Sequence, residues 1–275
     1  MKRVGWPRAA VCRTAAALMC LGAFPRLPAV SAAIEARAAE TAADTRAGSP
    51  DCPAAAPRQV ALPATRAALA AGRPLTIVAF GSSSTEGAGA SAPDRTYPAR
   101  LAAFLRARWP GAAVTIVNRG MGGQTIEAMV ARLERDVLSL KPVLVIWQAG
   151  ANDALRGADP AWFGALLDTG VRQIAAAGGD LILMDNQIAP RLPPTPASAV
   201  YGSLLARAAA IPAVSLFSRT ALMREWGATG KPLSLMIGAD GLHHTDLGYA
   251  CLAESLGQAI ANATTPVPGG RGEGR

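Results

Sequence analysis

Histidine is nearly missing from this chain: its 275 residues hold two, His243 and His244, side by side. Any imidazole chemistry therefore rests on one short stretch. Neither histidine lies in an H-E-x-x-H frame, and no second ligand cluster accompanies them, so no metal and no cofactor is expected. Aromatic residues are scarce, at 5%, and no Lys/Arg cluster interleaves with them, which argues against a nucleic-acid partner. The formal net charge of +8 does not reverse this. Five of the 27 Lys and Arg residues (Lys2, Arg3, Arg8, Arg13 and Arg26) precede the first acid, Glu35, and without them 22 basic residues face 19 acidic ones. There is no internal repeat, no comfortable membrane span, and no G-x-S-x-G elbow, which removes the α/β-hydrolase template.

What is present begins with a leader. Those five basic residues flank the short apolar core Thr14–Phe24, and small residues follow at Ala29–Ala33. Residues 1–32 therefore read as a secretory signal peptide, cut near Ala32 or Ala33, with export to the periplasm or medium. An uncleaved amphipathic anchor is the alternative. Residues 33–72 are Ala-, Thr- and Pro-rich and read as a tether with a short helix near Thr65–Ala71. Residues 73–263 form the folded domain, and residues 264–275 read as a disordered tail. Leader removal would leave two cysteines, Cys52 and Cys251. In an exported protein such a pair can form a disulfide between the N-terminal segment and the last helix; the alternative is two unpaired thiols.

From Leu75 onward, apolar runs alternate with helical patterns. Strands are expected at Leu75–Phe80, Ala113–Asn118, Val143–Gln148, Asp180–Met184 and Ala213–Leu216. Helices are expected at Tyr97–Trp109, Thr125–Leu138, Pro160–Ala177, Ser198–Ala210 and Thr245–Ala261. The strand runs are continuously apolar, as in a five-stranded parallel sheet covered on both faces.

In such a sheet, ligands bind beyond the carboxyl ends of the strands. Four loops lie there or can reach that rim: Gly81–Gly87 with three serines, Asn118–Thr125 with three glycines, Ala149–Asp153, and Asp240–His244. Together they hold the parts that acyl transfer needs. A serine hydroxyl is a poor nucleophile without a nearby base, and imidazole titrates near neutrality. A carboxylate three residues before the imidazole can fix its tautomer. Backbone N–H groups and an asparagine amide suit a developing oxyanion. Ser82 or Ser84 competes with Ser83, Gly120 or Gly122 with Gly123, and Asn152 can instead cap a helix. His244 reads as a pocket border or a solvent-facing ring, and Asp153 as a structural hydrogen-bond partner.

The blocks GSSSTEG, NRGMGGQT, GAND and DGLHH resemble, in order and spacing, those of the SGNH hydrolases, also called the GDSL esterase/lipase family. The resemblance spans Leu75 to Ala261. It implies a flavodoxin-like three-layer α/β/α sandwich, with Ser83 as nucleophile and Asp240 and His243 as its acid and base partners. It also implies an oxyanion hole from the Ser83 N–H, Gly123 and Asn152. One departure stands out: the family's first block usually reads Gly-Asp-Ser, and here Ser82 replaces the Asp. The expected function is an exported serine esterase acting on short-chain or acetylated-glycan esters. An envelope polysaccharide O-acyltransferase on the same triad and a non-catalytic carbohydrate-binding module are the alternatives.

Overall fold

The computed structural model describes residues 51–265. The expected leader, residues 33–50 of the expected tether and residues 266–275 of the expected tail lie outside the described residues. Five strands form one parallel sheet: β1 (Leu75–Gly81), β2 (Val114–Gly120), β3 (Leu144–Gln148), β4 (Asp180–Met184) and β5 (Val214–Phe217), in the order β2-β1-β3-β4-β5. The helices are α1 (Pro63–Ala70), α2 (Ser83–Glu86), α3 (Tyr97–Arg108), α4 (Ile126–Val130), α5 (Leu133–Asp136), α6 (Ala151–Arg156), α7 (Pro160–Ala176), α8 (Pro196–Ala208), α9 (Arg219–Ala228) and α10 (Asp246–Thr264).

The continuous apolar runs have a plain reason. Along β1, Leu75, Ile77 and Ala79 face one core, while Val78 and Phe80 face the other. Leu144 and Ile146 of β3 join the first core, and Val145 and Trp147 join the second. Strand side chains alternate faces, so a strand covered on both sides must be apolar throughout. Helices α1, α3, α9 and α10 contribute to the first layer; α4, α5, α7 and α8 build the second. This is the three-layer sandwich expected. The chain reverses its direction of strand addition between β1 and β3, and the crevice at that switch point is where such sheets bind ligands.

Three local features differ from expectation. The helix expected at Thr125–Leu138 is interrupted, because Arg132 turns inward between α4 and α5. Its Nη2 donates to Gly81 O (3.0 Å) and Arg119 O (2.9 Å), at the ends of β1 and β2, and its guanidinium lies over the Phe80 ring. Helix α9 had no expected counterpart; Ser218 caps it by accepting from Ala221 N–H. Residues 51–72 carry the expected short helix, and they also give Leu62, Thr65 and Ala68 to the buried interior. Leu62, at the α1 N-cap position, offers no side-chain acceptor, so Asp180 serves instead. Its carboxylate accepts from Ala64 N–H (3.1 Å), Thr65 N–H (2.7 Å) and Thr65 Oγ1 (2.7 Å). A disulfide joins Cys52 to Cys251 of α10, with Cα atoms 5.3 Å apart.

Candidate active site

Strand β1 ends at Gly81, and the chain turns at once into α2 with Ser82 as its N-cap. Ser83 is the first helical residue, so its N–H needs no intrahelical acceptor. A side chain at Gly120, paired with Gly81 across β1 and β2, would run into the backbone of Thr85 and Glu86. Glycine there lets β2 lie against the serine turn. A Cβ on Gly122 would sit 4.0 Å from Ser83 Cβ, so the glycine loop borders the same hydroxyl.

The imidazole arrives from 160 residues away. His243 Nε2 lies 2.7 Å from Ser83 Oγ. On the other side of the ring, Nδ1 lies 2.5 Å from Asp240 Oδ2. Asp240 Oδ1 also accepts from Leu242 N–H (2.9 Å) and His243 N–H (3.0 Å), so the carboxylate holds both the ring and its own loop. Burial works to raise the Asp240 carboxyl, but these two backbone donors and the His243 side chain outweigh it and hold it at about 2. Asp240 is therefore ionised at any working pH and keeps the proton of neutral His243 on Nδ1, leaving Nε2 as the acceptor toward Ser83.

Gly123 adopts φ +72°, a conformation glycine takes without penalty. Its carbonyl accepts from Arg156 Nη2 (2.8 Å), which ties the turn to α6. Asn152, also on α6, donates from Nδ2 to Gln124 O (2.9 Å). Ser83, Gly123, Asn152, Asp240 and His243 thus come from four loops that share or border one rim. The competing serines are buried, and Ser82 Oγ donates to Gln148 Oε1 (3.0 Å). Asp153 is buried and accepts from Ile126 N–H through both oxygens (3.1 and 3.3 Å). That bond fixes the start of α4 directly after the glycine loop.

His244, expected at the pocket border or in solvent, is fully buried. Its ring packs against Tyr249, and Nδ1 donates to Met236 O. Burial first, then the positive charge of Arg219, lowers its pKa to about 3, so it stays neutral.

Sequence reasoning also missed a buried support. Arg219 Nη2 donates to Gln187 Oε1 (2.7 Å), and Gln187 Nε2 donates to Leu242 O (3.0 Å), inside the Asp240–His243 loop. Arg191 N–H donates to Gly241 O (2.9 Å). The Pro-rich loop after β4 therefore braces the acid–base loop. Its signal in the sequence was the polar run Asp185-Asn186-Gln187 closing an apolar strand.

Residues 49–266 match the family described as non-GDSL lipase-like. Esterase TesA of Pseudomonas aeruginosa is 30% identical over 131 residues, which cover 46% of this chain and 60% of that protein. An acetylxylan esterase of Geobacillus stearothermophilus is 36% identical over 63 residues, 23% of this chain and 29% of that one. A solved two-domain esterase active on acetylated mannans superposes with a TM-score of 0.64 at 23% identity, covering 76% of this chain and 55% of its own. The matched regions span less than two thirds of each of these three proteins. The match over residues 49–266 takes in the whole sheet and all four loops of the site, and on it the chain belongs to the non-GDSL lipase-like family.

Proposed function

We propose that this chain is an exported serine ester hydrolase working through an acyl-enzyme. The observation that carries the reading is the unbroken line Ser83 Oγ, His243 Nε2, His243 Nδ1, Asp240 Oδ2. Ser83 Oγ attacks the ester carbonyl while His243 Nε2 takes its proton. The negative charge that develops on the carbonyl oxygen is met by the Ser83 N–H, Gly123 and the Asn152 amide. His243 then protonates the departing alcohol. A water molecule, deprotonated by the same nitrogen, attacks the acyl group; the Ser83 Oγ–acyl bond breaks, His243 returns that proton to Ser83 Oγ, and the acid is freed. The steps balance without a cofactor.

The relatives' names support esters of acetylated glycans, and short acyl groups fit a site framed by glycine and small polar residues. Among the described residues no helix is long and apolar enough to cross a membrane. The Cys52–Cys251 bridge supports maturation in an oxidising compartment, in keeping with the leader.

Hydrolysis of 4-nitrophenyl acetate and of acetylated xylan by wild type and Ser83→Ala tests the reading. The variant is expected to lose at least about 1000-fold in kcat while its far-ultraviolet dichroism is unchanged. Turnover at the wild-type rate in S83A would refute the assignment.

A further inference from the structure

The serine turn has a polar anchor that this mechanism does not use. Gln148 ends β3 and is fully buried. Its Oε1 accepts from Ser82 N–H (3.0 Å), Ser82 Oγ (3.0 Å) and Thr85 Oγ1 (3.3 Å). The donors bracket Ser83: one residue before it and two after. Thr85 Oγ1 in turn lies 3.2 Å from the Tyr97 hydroxyl. Burial pushes that phenol up to about 12, so it keeps its proton, and the donors run from Tyr97 to Thr85 to Gln148. Gly81 makes room for the convergence. A Cβ there would collide with Thr85 Oγ1 and stand 2.8 Å from Gln148 Oε1. Gln148 Nε2, by contrast, is buried with no protein partner. The side chain is engaged through its oxygen alone.

This arrangement accounts for the departure at position 82. An aspartate there would bring an acceptor into the turn. Serine brings a donor, and a buried donor beside the nucleophile must find its acceptor elsewhere. Gln148 supplies one without placing a second charge near His243.

We infer that Gln148 is a positioning residue for the proposed hydrolysis: its side-chain oxygen, bound to Ser82 and Thr85, sets the Ser83 hydroxyl and N–H for attack. The inference rests on the assignment of Ser83 as nucleophile. A displacement near 1 Å at a reacting group costs about 100-fold in rate, which sets the scale of the effect.

The test is steady-state hydrolysis of 4-nitrophenyl acetate by full-length wild type, Q148L, Q148E, S82A and S83A, each with a thermal melt. Q148L removes the acceptor at similar volume, and its kcat is expected to fall about 100-fold with KM within about twofold. Q148E regains most of that loss, because the fully buried carboxyl stays protonated, its carbonyl oxygen offers the same acceptor without a charge, and the replaced nitrogen had no partner. S82A deletes one of three donors and falls about fivefold. A Gln148 that only stabilised the fold would lower the melting temperature while leaving kcat per folded enzyme at the wild-type value. Folded Q148L with wild-type kcat, or Q148E as slow as Q148L, overturns the inference. Should Q148L not fold, S82A decides, and wild-type kcat in folded S82A overturns it. Inactive S83A beside a fully active Q148L removes the Gln148 role and leaves the nucleophile standing; active S83A removes both.

Discussion

Asn152 carries two amide hydrogens on Nδ2, and Gln124 O takes one of them. The other is free to meet an oxyanion, and the first bond holds the amide in place before substrate arrives. Preorganised donors of this kind act on the charge that forms in the transition state, not on the resting ester. Asn152→Ala is therefore expected to lower kcat by about 100- to 1000-fold with little change in KM, read from full saturation curves. A loss confined to KM would contradict an oxyanion role. At this scale the sequence was informative where chemistry follows short spacing. Asp240 and His243 stand three apart, a spacing that the other histidine, His244, does not fit, and Ser83 lies two residues past the glycine at a strand end. Gln148, Gln187, Arg132 and Arg219 were not legible in the same way. Their partners lie tens of residues away, and only the fold brings Gln148 to Ser82 or Arg132 to the ends of β1 and β2.

Among the elements, β1, β3 and β4 were readable because both faces are buried, which forces uninterrupted apolar runs; the edge strand β2, of which only Val114 is buried, was readable from its short run of β-branched residues. The error at Thr125–Leu138 has a physical source. Its apolar spacing is helical, yet Arg132 leaves the helix to satisfy strand-end carbonyls. Tertiary hydrogen bonding outweighed local propensity there. Residues 51–72, the described part of the expected tether, are packed more closely than their composition suggests. That Ala/Pro composition suggested a tether, while Asp180 caps α1 from 115 residues away. The disulfide fastens the same segment to α10 across a separation of 199 residues. A loop of that size restricts the unfolded chain strongly, by up to roughly 5 kcal/mol in the entropic account. Cys52→Ser is expected to lower the free energy of unfolding by about 2–5 kcal/mol, measured by urea titration without reductant. An unchanged midpoint and slope would show that the bridge contributes no stability.

For the molecule as a whole, the buried histidine makes stability depend on acidity. His244 protonates near 6.5 in the unfolded chain but only at about 3 when folded, because burial and then Arg219 oppose the cation. Between those values the unfolded state binds the extra proton. The contribution is fully present above pH 6.5 and is lost as pH falls toward 3, at no more than about 1.4 kcal/mol per pH unit. Asp153 and Asp185, raised chiefly by burial, act in the opposite sense, so the comparison must be made against a variant that keeps both. Urea midpoints of wild type and His244→Gln at pH 7, 5.5 and 4.5 are expected to show a steeper acid loss in wild type; parallel lines would contradict a buried neutral ring. The central claim is that one hydroxyl out of three neighbouring serines is activated by His243. Treating the folded protein with a fluorophosphonate and mapping the adduct by peptide mass spectrometry tests it most directly. One equivalent on Ser83, absent from His243→Ala, is the predicted result; an adduct on Ser82 or Ser84, or none on the folded wild type, would contradict the account.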